Sequence, residues 1–208
     1  MRIRVTFSKT DAMRYTGHLD LFRSWERTFR RSGLPLAYSQ GFHPQPRLNL
    51  ACALPLGFTS ECEMLDAWLE CNLPLQQVYQ TIEGVLPPGL EIHGIDIIDV
   101  QASALQTQVD SAVYMITFLD DIPDLEERVQ RITSSEHMPR LRRNKSYDLR
   151  PLIEQISLLP INDDGNRRLR IQLSARESAT GRPEELLDEM GIKFETTRIH
   201  REKIIFHS

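Results

Sequence analysis

The order of strand-like and helix-like segments restricts this chain to few folds. From Arg2 to Ser8 apolar and polar side chains alternate, as in a half-buried strand. The predicted elements that follow are a helix at 18–32, strands at 36–40, 48–54 and 61–71, a helix at 75–86 and a strand at 90–100. Gly33 and the Pro87-Pro88-Gly89 run end the two helices. This order predicts a ferredoxin-like (split β-α-β) domain.

The same order begins again after a polar stretch. The elements predicted there are a strand at 113–119, helices at 123–134 and 149–159, a strand at 167–175, a helix at 183–190 and a strand at 194–206. Residues 140–145 suit either a strand or a loop. The prediction is therefore an α+β protein with a ferredoxin-like domain at 1–100, a linker at 101–111 and a second, less regular ferredoxin-like domain at 112–208.

Composition excludes some locations and classes. With 40% hydrophobic and 26% charged residues, the chain can bury an ordinary core. It has no signal-peptide run and no stretch near the roughly 20 apolar residues of a membrane helix. The three cysteines, Cys52, Cys62 and Cys71, are widely spaced and odd in number. A reducing cytoplasm is the simplest location for such a protein.

The net charge of −4 conceals a strong segregation of charge along the chain. Residues 1–60 carry 9 Lys/Arg against 3 Asp/Glu, residues 61–138 carry 2 against 15, and residues 139–208 carry 14 against 11. Binding depends on such local charge rather than on the total.

The first helix carries a basic face opposite an apolar one. Leu19, Phe22, Trp25 and Phe29 recur at helical spacing and are predicted to face the core, while four arginines lie together elsewhere: Arg23, Arg27, Arg30 and Arg31. Clustered guanidinium groups repel one another unless an anion lies between them. Phosphate, RNA or an acidic protein would satisfy this face; the acidic segment 61–138 of the same chain is the alternative.

Two polar motifs flank this helix. Tyr15-Thr16-Gly17-His18-Leu19-Asp20 leads into its first turn, where free backbone amides can hold an anion. His18, with Asp20 beside it, is a candidate acid/base or ligand-contacting group, or else a histidine of the capping region.

The second motif runs from Ser39 to Arg47 and contains two prolines, Pro44 and Pro46. Ser39, Gln40, His43, Gln45 and Arg47 are candidate binding residues, and His43 is a further acid/base candidate. Proline lowers the entropy cost of presenting such groups to a ligand. The prolines are equally suited to protecting an exposed strand edge.

The second half contains the densest basic run of the chain. Its candidate binding residues are Arg142, Arg143, Lys145 and Arg150, which suit contact with a nucleic-acid backbone. The alternative is that these cations are hydrated and that Asp148 pairs locally with Arg150 or Lys145.

No metal site or cofactor is predicted. The histidines and cysteines lack CxxC or HExxH spacing, and glycine-rich phosphate loops and nucleophile elbows are absent.

Four motifs together carry a family resemblance: Tyr-Thr-Gly-His-Leu-Asp at 15–20, Ser-Gln-Gly-Phe-His-Pro-Gln-Pro-Arg at 39–47, Leu-Pro-Leu-Gly at 54–57 and Lys-Ser-Tyr-Asp-Leu-Arg-Pro at 145–151. With them the chain resembles the radical-SAM-linked proteins, a bacterial family of unknown function. Members occur alone or fused behind a radical-SAM domain, and their genes often neighbour those of a ribonuclease of the E/G type and of ribosomal proteins. The resemblance implies a radical-SAM partner and a role connected with RNA or ribosomes.

Three functional hypotheses follow. Because the chain lacks the CxxxCxxC that ligates an iron–sulfur cluster, the first is an accessory, RNA-binding or substrate-presenting partner of a radical-SAM enzyme. The second is an RNA-acting enzyme that uses His18 or His43, and the third is a protein–protein adaptor that binds no RNA.

Overall fold

The computed structural model describes residues 1–207, which divide into two compact units, Met1–Val109 and Asp110 onward. Each unit combines an antiparallel sheet with two α-helices, in the order of a ferredoxin-like fold. The predicted α+β, tandem ferredoxin-like fold class is confirmed.

The elements of the first unit are β1 (Arg2–Lys9), α1 (His18–Ser32), β2 (Leu48–Leu50), β3 (Phe58–Trp68), α2 (Leu75–Glu83) and β4 (Leu90–Ile98). The central strand β1 pairs with β4 on one side and with β3 on the other, and β2 pairs with the far edge of β3. The spatial order β4-β1-β3-β2 is that of the split β-α-β fold.

The core of this unit lies between the sheet and its helices. Phe7 packs edge-on against Trp25 of α1, with ring centroids 4.8 Å apart, and Trp25 contacts Phe29 in turn. Leu21 of α1 is also buried. The prediction that Leu19 faces this core was wrong: its position in the first turn leaves it 72% exposed.

The opposite, helix-free face of the sheet carries a buried charge cluster. Arg2 contacts Asp66 through Nη2 at 2.6 Å, and Arg4 contacts the same carboxylate through Nε at 2.7 Å. The segment after β4 passes over this face, and Arg2 donates to its carbonyl groups at Ala102 (2.5 Å) and Ser103 (2.8 Å). A 3₁₀-helix at Leu105–Gln108 follows there, with Leu105 buried.

The elements of the second unit are β5 (Val109–Phe118), α3 (Leu125–Ser134), β6 (Pro139–Arg142), β7 (Lys145–Asp148), β8 (Ile153–Leu159), β9 (Arg168–Arg176), β10 (Ala179–Thr180), α4 (Pro183–Glu189) and β11 (Thr197–Phe206). Strand β5 begins one residue before the division between the units. The neighbours run β11-β5-β9-β8, again the split β-α-β order, and β10 pairs with the end of β9. The hairpin β6–β7, inserted between α3 and β8, makes this unit the less regular one.

Several predicted elements differ from the structure. The predicted helix at 149–159 was wrong, because Pro151 starts only a 3₁₀ turn, Arg150–Leu152, and the chain then pairs with β9 as β8. The strand predicted at 36–40 is reduced to isolated bridges at Leu36 and Tyr38. Residues 140–145 belong to the β6–β7 hairpin.

Candidate functional site

The loop between β1 and α1 is held in place by hydrogen bonds from a buried lysine. Lys9 Nζ donates to the carbonyl oxygens of Phe58 (2.9 Å) and Arg14 (3.2 Å). The amide of Gly57 donates to the same Arg14 carbonyl at 2.9 Å. The braced loop carries Tyr15 outward, where it is 75% exposed.

The first turn of α1 places the next candidates at the helix terminus. Gly17 is the N-cap, and no side chain caps the helix. His18 is half-buried, whereas Asp20 is exposed and forms an ion pair with Arg23 at 3.2 Å. Asp20 also stabilises the positive end of the helix macrodipole.

The four arginines of α1 form the predicted basic face, and nearby groups of the first unit neutralise only part of its charge. All four arginines are exposed. Arg23 pairs with Asp20, Arg30 with Glu26 at 2.9 Å, and Arg31 donates to the carbonyl of Val85 at 2.8 Å. Within residues 1–207, Arg27 has neither an ion pair nor a side-chain hydrogen bond. The acidic segment 61–138 supplies no carboxylate to these arginines in the described part of the chain.

The loop of residues 39–47, called here the proline-flanked loop, is a closed turn that points outward. A bridge joins Tyr38 to Pro46, and the next pair is joined twice, by the Ser39 amide to the Gln45 carbonyl (2.8 Å) and by the Gln45 amide to Ser39 Oγ (2.9 Å). Ser39 and Gln45 therefore close the loop rather than only present polar groups.

The tip of this loop presents an aromatic side chain that sequence reasoning missed. Phe42 is completely exposed, at 101% of its reference area, between exposed Gln40 and exposed His43. Gly41, at φ 128°, provides the backbone conformation that a side chain would oppose. The signal in the sequence was the glycine just before the aromatic residue, inside a loop that contains two prolines.

Arg47 is held at the base of the same loop by stacking. Its guanidinium lies 4.8 Å from the ring centroid of Trp68, and that of Arg2 lies 4.9 Å from it. The Trp68 amide also donates to the Arg47 carbonyl at 3.1 Å. Arg47 remains exposed, so one of its faces is available to a ligand.

The two motifs are anchored at opposite ends of β3. Lys9 pairs with Ser60 near the start of β3, below the Tyr15 loop, and Trp68 at its end holds the base of the proline-flanked loop. The eight residue steps from Ser60 to Trp68 span roughly 26 Å of strand. His18 and His43 therefore do not form one catalytic pair, and α1, about 22 Å long, runs between the two ends with its arginines.

In the basic run of the second unit, some side chains contact other residues of the protein and others are exposed to solvent. Arg142 forms an ion pair with Glu185 and stacks on Tyr147 at 4.6 Å. Arg150 donates to backbone carbonyls, including that of Ser135 at 3.0 Å. Both are internal supports, whereas Arg143 and Lys145 are exposed at the hairpin turn.

Asp148 holds the base of this hairpin. Its carboxylate accepts hydrogen bonds from His137 Nδ1 (2.8 Å), the Met138 amide (2.8 Å) and the Arg150 amide (2.9 Å). These donors, the His137 bond first, lower the pKa of Asp148 to about 2.

Residues 1–207 contain neither a cluster of metal-ligating side chains nor a helix suited to crossing a membrane. No group of three or more His, Cys, Asp or Glu side chains there is arranged to hold a metal ion. No helix in this part of the chain has the length and apolar character needed to cross a membrane.

Element order and strand pairing place the chain in the class of tandem ferredoxin-like proteins. Residues 2–183 match the family described as uncharacterized protein conserved in bacteria (DUF2344), and the chain belongs to that family. No curated protein sequence matches it.

Two solved structures are similar to the chain at low sequence identity. A crystal structure of a Cbf5-Nop10-Gar1 complex aligns with 97% of this chain and 48% of that chain, with a TM-score of 0.51 and 8% identity. A structure of an H/ACA RNP bound to a substrate RNA containing 2'-deoxyuridine aligns over 97% and 47%, with a TM-score of 0.48 and 8% identity. The chain thus spans about half the length of these solved chains. The first similarity describes the fold alone.

Proposed function

We propose that this protein binds single-stranded RNA through its first unit, as an accessory or substrate-presenting partner of a radical-SAM enzyme in the bacterial cytoplasm. The observation that carries the RNA-binding part is the fully exposed Phe42 on a closed loop. Burying such a ring stabilises a protein by about 1.5–3 kcal/mol, so leaving it in water has a cost that a ligand would remove.

Exposed side chains spread along the first unit favour RNA over a free anion, because the loops of Tyr15 and Phe42 lie at opposite ends of β3 and only an extended ligand reaches both. Stacking of a base on an aromatic side chain contributes about 1–3 kcal/mol, and Tyr15 offers a second exposed ring. Arg47 and the unpaired Arg27 supply positive charge for the phosphates. Aromatic rings interspersed with cations are the usual means of holding an unpaired strand.

The radical-SAM partner rests on the motif resemblance. The chain has no cysteine motif for an iron–sulfur cluster, and within residues 1–207 Cys52, Cys62 and Cys71 form no disulfide. A radical enzyme would therefore have to be a separate domain or protein, to which this chain brings a substrate.

Fluorescence anisotropy with a short single-stranded RNA tests the binding surface. Phe42→Ala should weaken binding by roughly fivefold to 150-fold, the equivalent of one lost stacking contact. Arg27→Ala should lower the slope of log K against log salt by about 0.7, the value for one phosphate contact. The control Ile97→Ala removes an exposed apolar side chain from β4 and should leave binding unchanged.

Equal RNA affinity of Phe42→Ala and Ile97→Ala would overturn the proposed surface. Affinity capture of the full chain from native lysate, followed by RNA sequencing and mass spectrometry, tests the partner. Recovery of a radical-SAM protein without RNA would identify a protein adaptor instead.

A second function, an RNA-acting enzyme, is favoured by one observation. The loop that carries Tyr15 and leads to His18 is fixed by the buried ammonium of Lys9, and rigid support of this kind is typical of catalytic groups. In that case His18→Ala abolishes turnover of a bound RNA while its affinity is retained. Loss of affinity in parallel with turnover would assign His18 to binding.

A further inference from the structure

A cavity of about 440 Å³ opens beside the β6–β7 hairpin, entirely within the second unit. The hairpin turn forms one wall, β10 and the residues around it form another, and Leu152 contributes an apolar surface. Its cationic side chains are Arg142, Arg143, Lys145 and Arg182. The volume lies within the range of small-molecule sites, about 300–1,000 Å³.

Arg142 lines one wall of the cavity, where its side chain is held in place and its charge is neutralised. Arg142 pairs with Glu185, donates to the Thr180 carbonyl at 3.0 Å and donates to the hydroxyl of Tyr147 at 3.2 Å. This network joins the hairpin to β10 and α4. It leaves little of the Arg142 charge for a ligand, so Arg142 fixes the shape of the cavity.

The remaining cations have no such partners. Arg143, Lys145 and Arg182 are exposed, and across residues 1–207 none of them forms an ion pair or a side-chain hydrogen bond. The acid that lines the cavity, Asp148, already accepts three hydrogen bonds. Arg182 lies within electrostatic range of Glu184 and Glu185, so the unbalanced positive charge at the opening belongs to Arg143 and Lys145.

The backbone of the turn presents one of these cations at an energetic cost. Arg143 and Asn144 have φ angles of 49° and 64°, the left-handed pair of a two-residue hairpin turn. Asparagine and glycine tolerate this conformation, whereas an arginine adopts it only with steric strain. An arginine kept there in spite of the strain indicates a use for its charge.

We propose that this cavity binds a phosphate monoester of nucleotide size. The three unpaired cations would contact the phosphate with the Ser178 hydroxyl nearby, and Leu152 and Ala179 would pack against the rest of the ligand. Inorganic phosphate alone would leave most of the volume empty. The site goes beyond the proposed RNA surface, since it lies in the other unit and shares no residue with it.

Isothermal titration of the full chain with AMP, and with adenosine as the ligand without phosphate, tests the assignment. AMP should bind at least tenfold more tightly than adenosine. Arg143→Asn removes the charge with a residue that suits the turn, and combined with Lys145→Ala and Arg182→Ala it should weaken AMP binding at least tenfold. Lys193→Ala, an exposed cation outside the cavity, is the matched control and should bind AMP as the parent does.

A short single-stranded RNA distinguishes the sources of the phosphate. Competition of RNA with AMP, lost in the triple variant, assigns the site to RNA phosphates; AMP binding without competition assigns it to a free nucleotide. Both results support a phosphate site. Equal affinities for AMP and adenosine, or unchanged AMP binding by the triple variant, would overturn it. Measuring AMP binding in Phe42→Ala separates this outcome from failure of the RNA surface.

Discussion

Replacing Asp66 by asparagine tests the buried charge cluster beneath the proline-flanked loop. Asp66 is fully buried and holds two arginines, and Arg2, itself 1% exposed, cannot reach water when the carboxylate is removed. Removing one partner of a buried pair costs about 3–5 kcal/mol. Because Arg2 keeps its carbonyl acceptors at Ala102 and Ser103, we expect the lower end, about 3 kcal/mol.

Thermal denaturation followed by circular dichroism measures this loss. At about 2–4 °C per kcal/mol for a chain of this length, the midpoint should fall by about 6–12 °C. Asp96→Asn is the control, since Asp96 lies opposite Arg4 in the register of β1 and β4 but is exposed. It should change the midpoint by less than about 2 °C, as expected for a surface substitution. Equal midpoints for the two variants would refute the assignment of stability to the Asp66 cluster.

Three further predictions concern the supports of the loops. Lys9→Met should increase amide hydrogen exchange in residues 10–17, measured by mass spectrometry, because it removes two hydrogen bonds from a charged donor, about 1.5–3 kcal/mol each. Gly89→Ala should lower the free energy of unfolding, measured by urea denaturation, by about 2–4 kcal/mol, because φ is 94° and a Cβ would lie 2.8 Å from Met13 Cγ. The control is Gly165→Ala, where φ is also positive but the space is open, and it should lower that free energy by only about 1–2 kcal/mol. Because the pKa of Asp148 is lowered in the folded protein, its carboxylate contributes fully to stability above pH 4, and this contribution is lost as the pH falls towards about 2. Asp148→Asn should therefore make the thermal denaturation midpoint less dependent on pH between pH 4 and about 2. An unchanged pH dependence would contradict that role.

Much of the fold could be predicted because local pattern and tertiary role agree. The alternation from Arg2 to Ser8 survives as β1, and Gly33 ends α1 in the left-handed conformation. The segment at 149–159 lacked this agreement, since a proline followed by a short mixed run suits a helix or an edge strand equally. Pairing with β9, which no local pattern reveals, decided it.

The candidate site was predictable in its residue types but not in its partners. The acid that neutralises Arg142 is Glu185, 43 residues further along the chain, a partner that sequence proximity does not reveal. Phe42 was missed because aromatic side chains are usually buried and only the folded loop shows this one to be exposed.

The segment that passes over the helix-free face determines where the chain can be divided. A fragment that stops at residue 100 would lose the carbonyl groups at Ala102 and Ser103 that receive Arg2, as well as the buried side chain of Leu105. It would retain β1–β4 and both α-helices of the first unit and still expose to water a guanidinium that is buried in the intact chain. Any N-terminal fragment meant to preserve the base of the Phe42 loop should therefore extend through Val109.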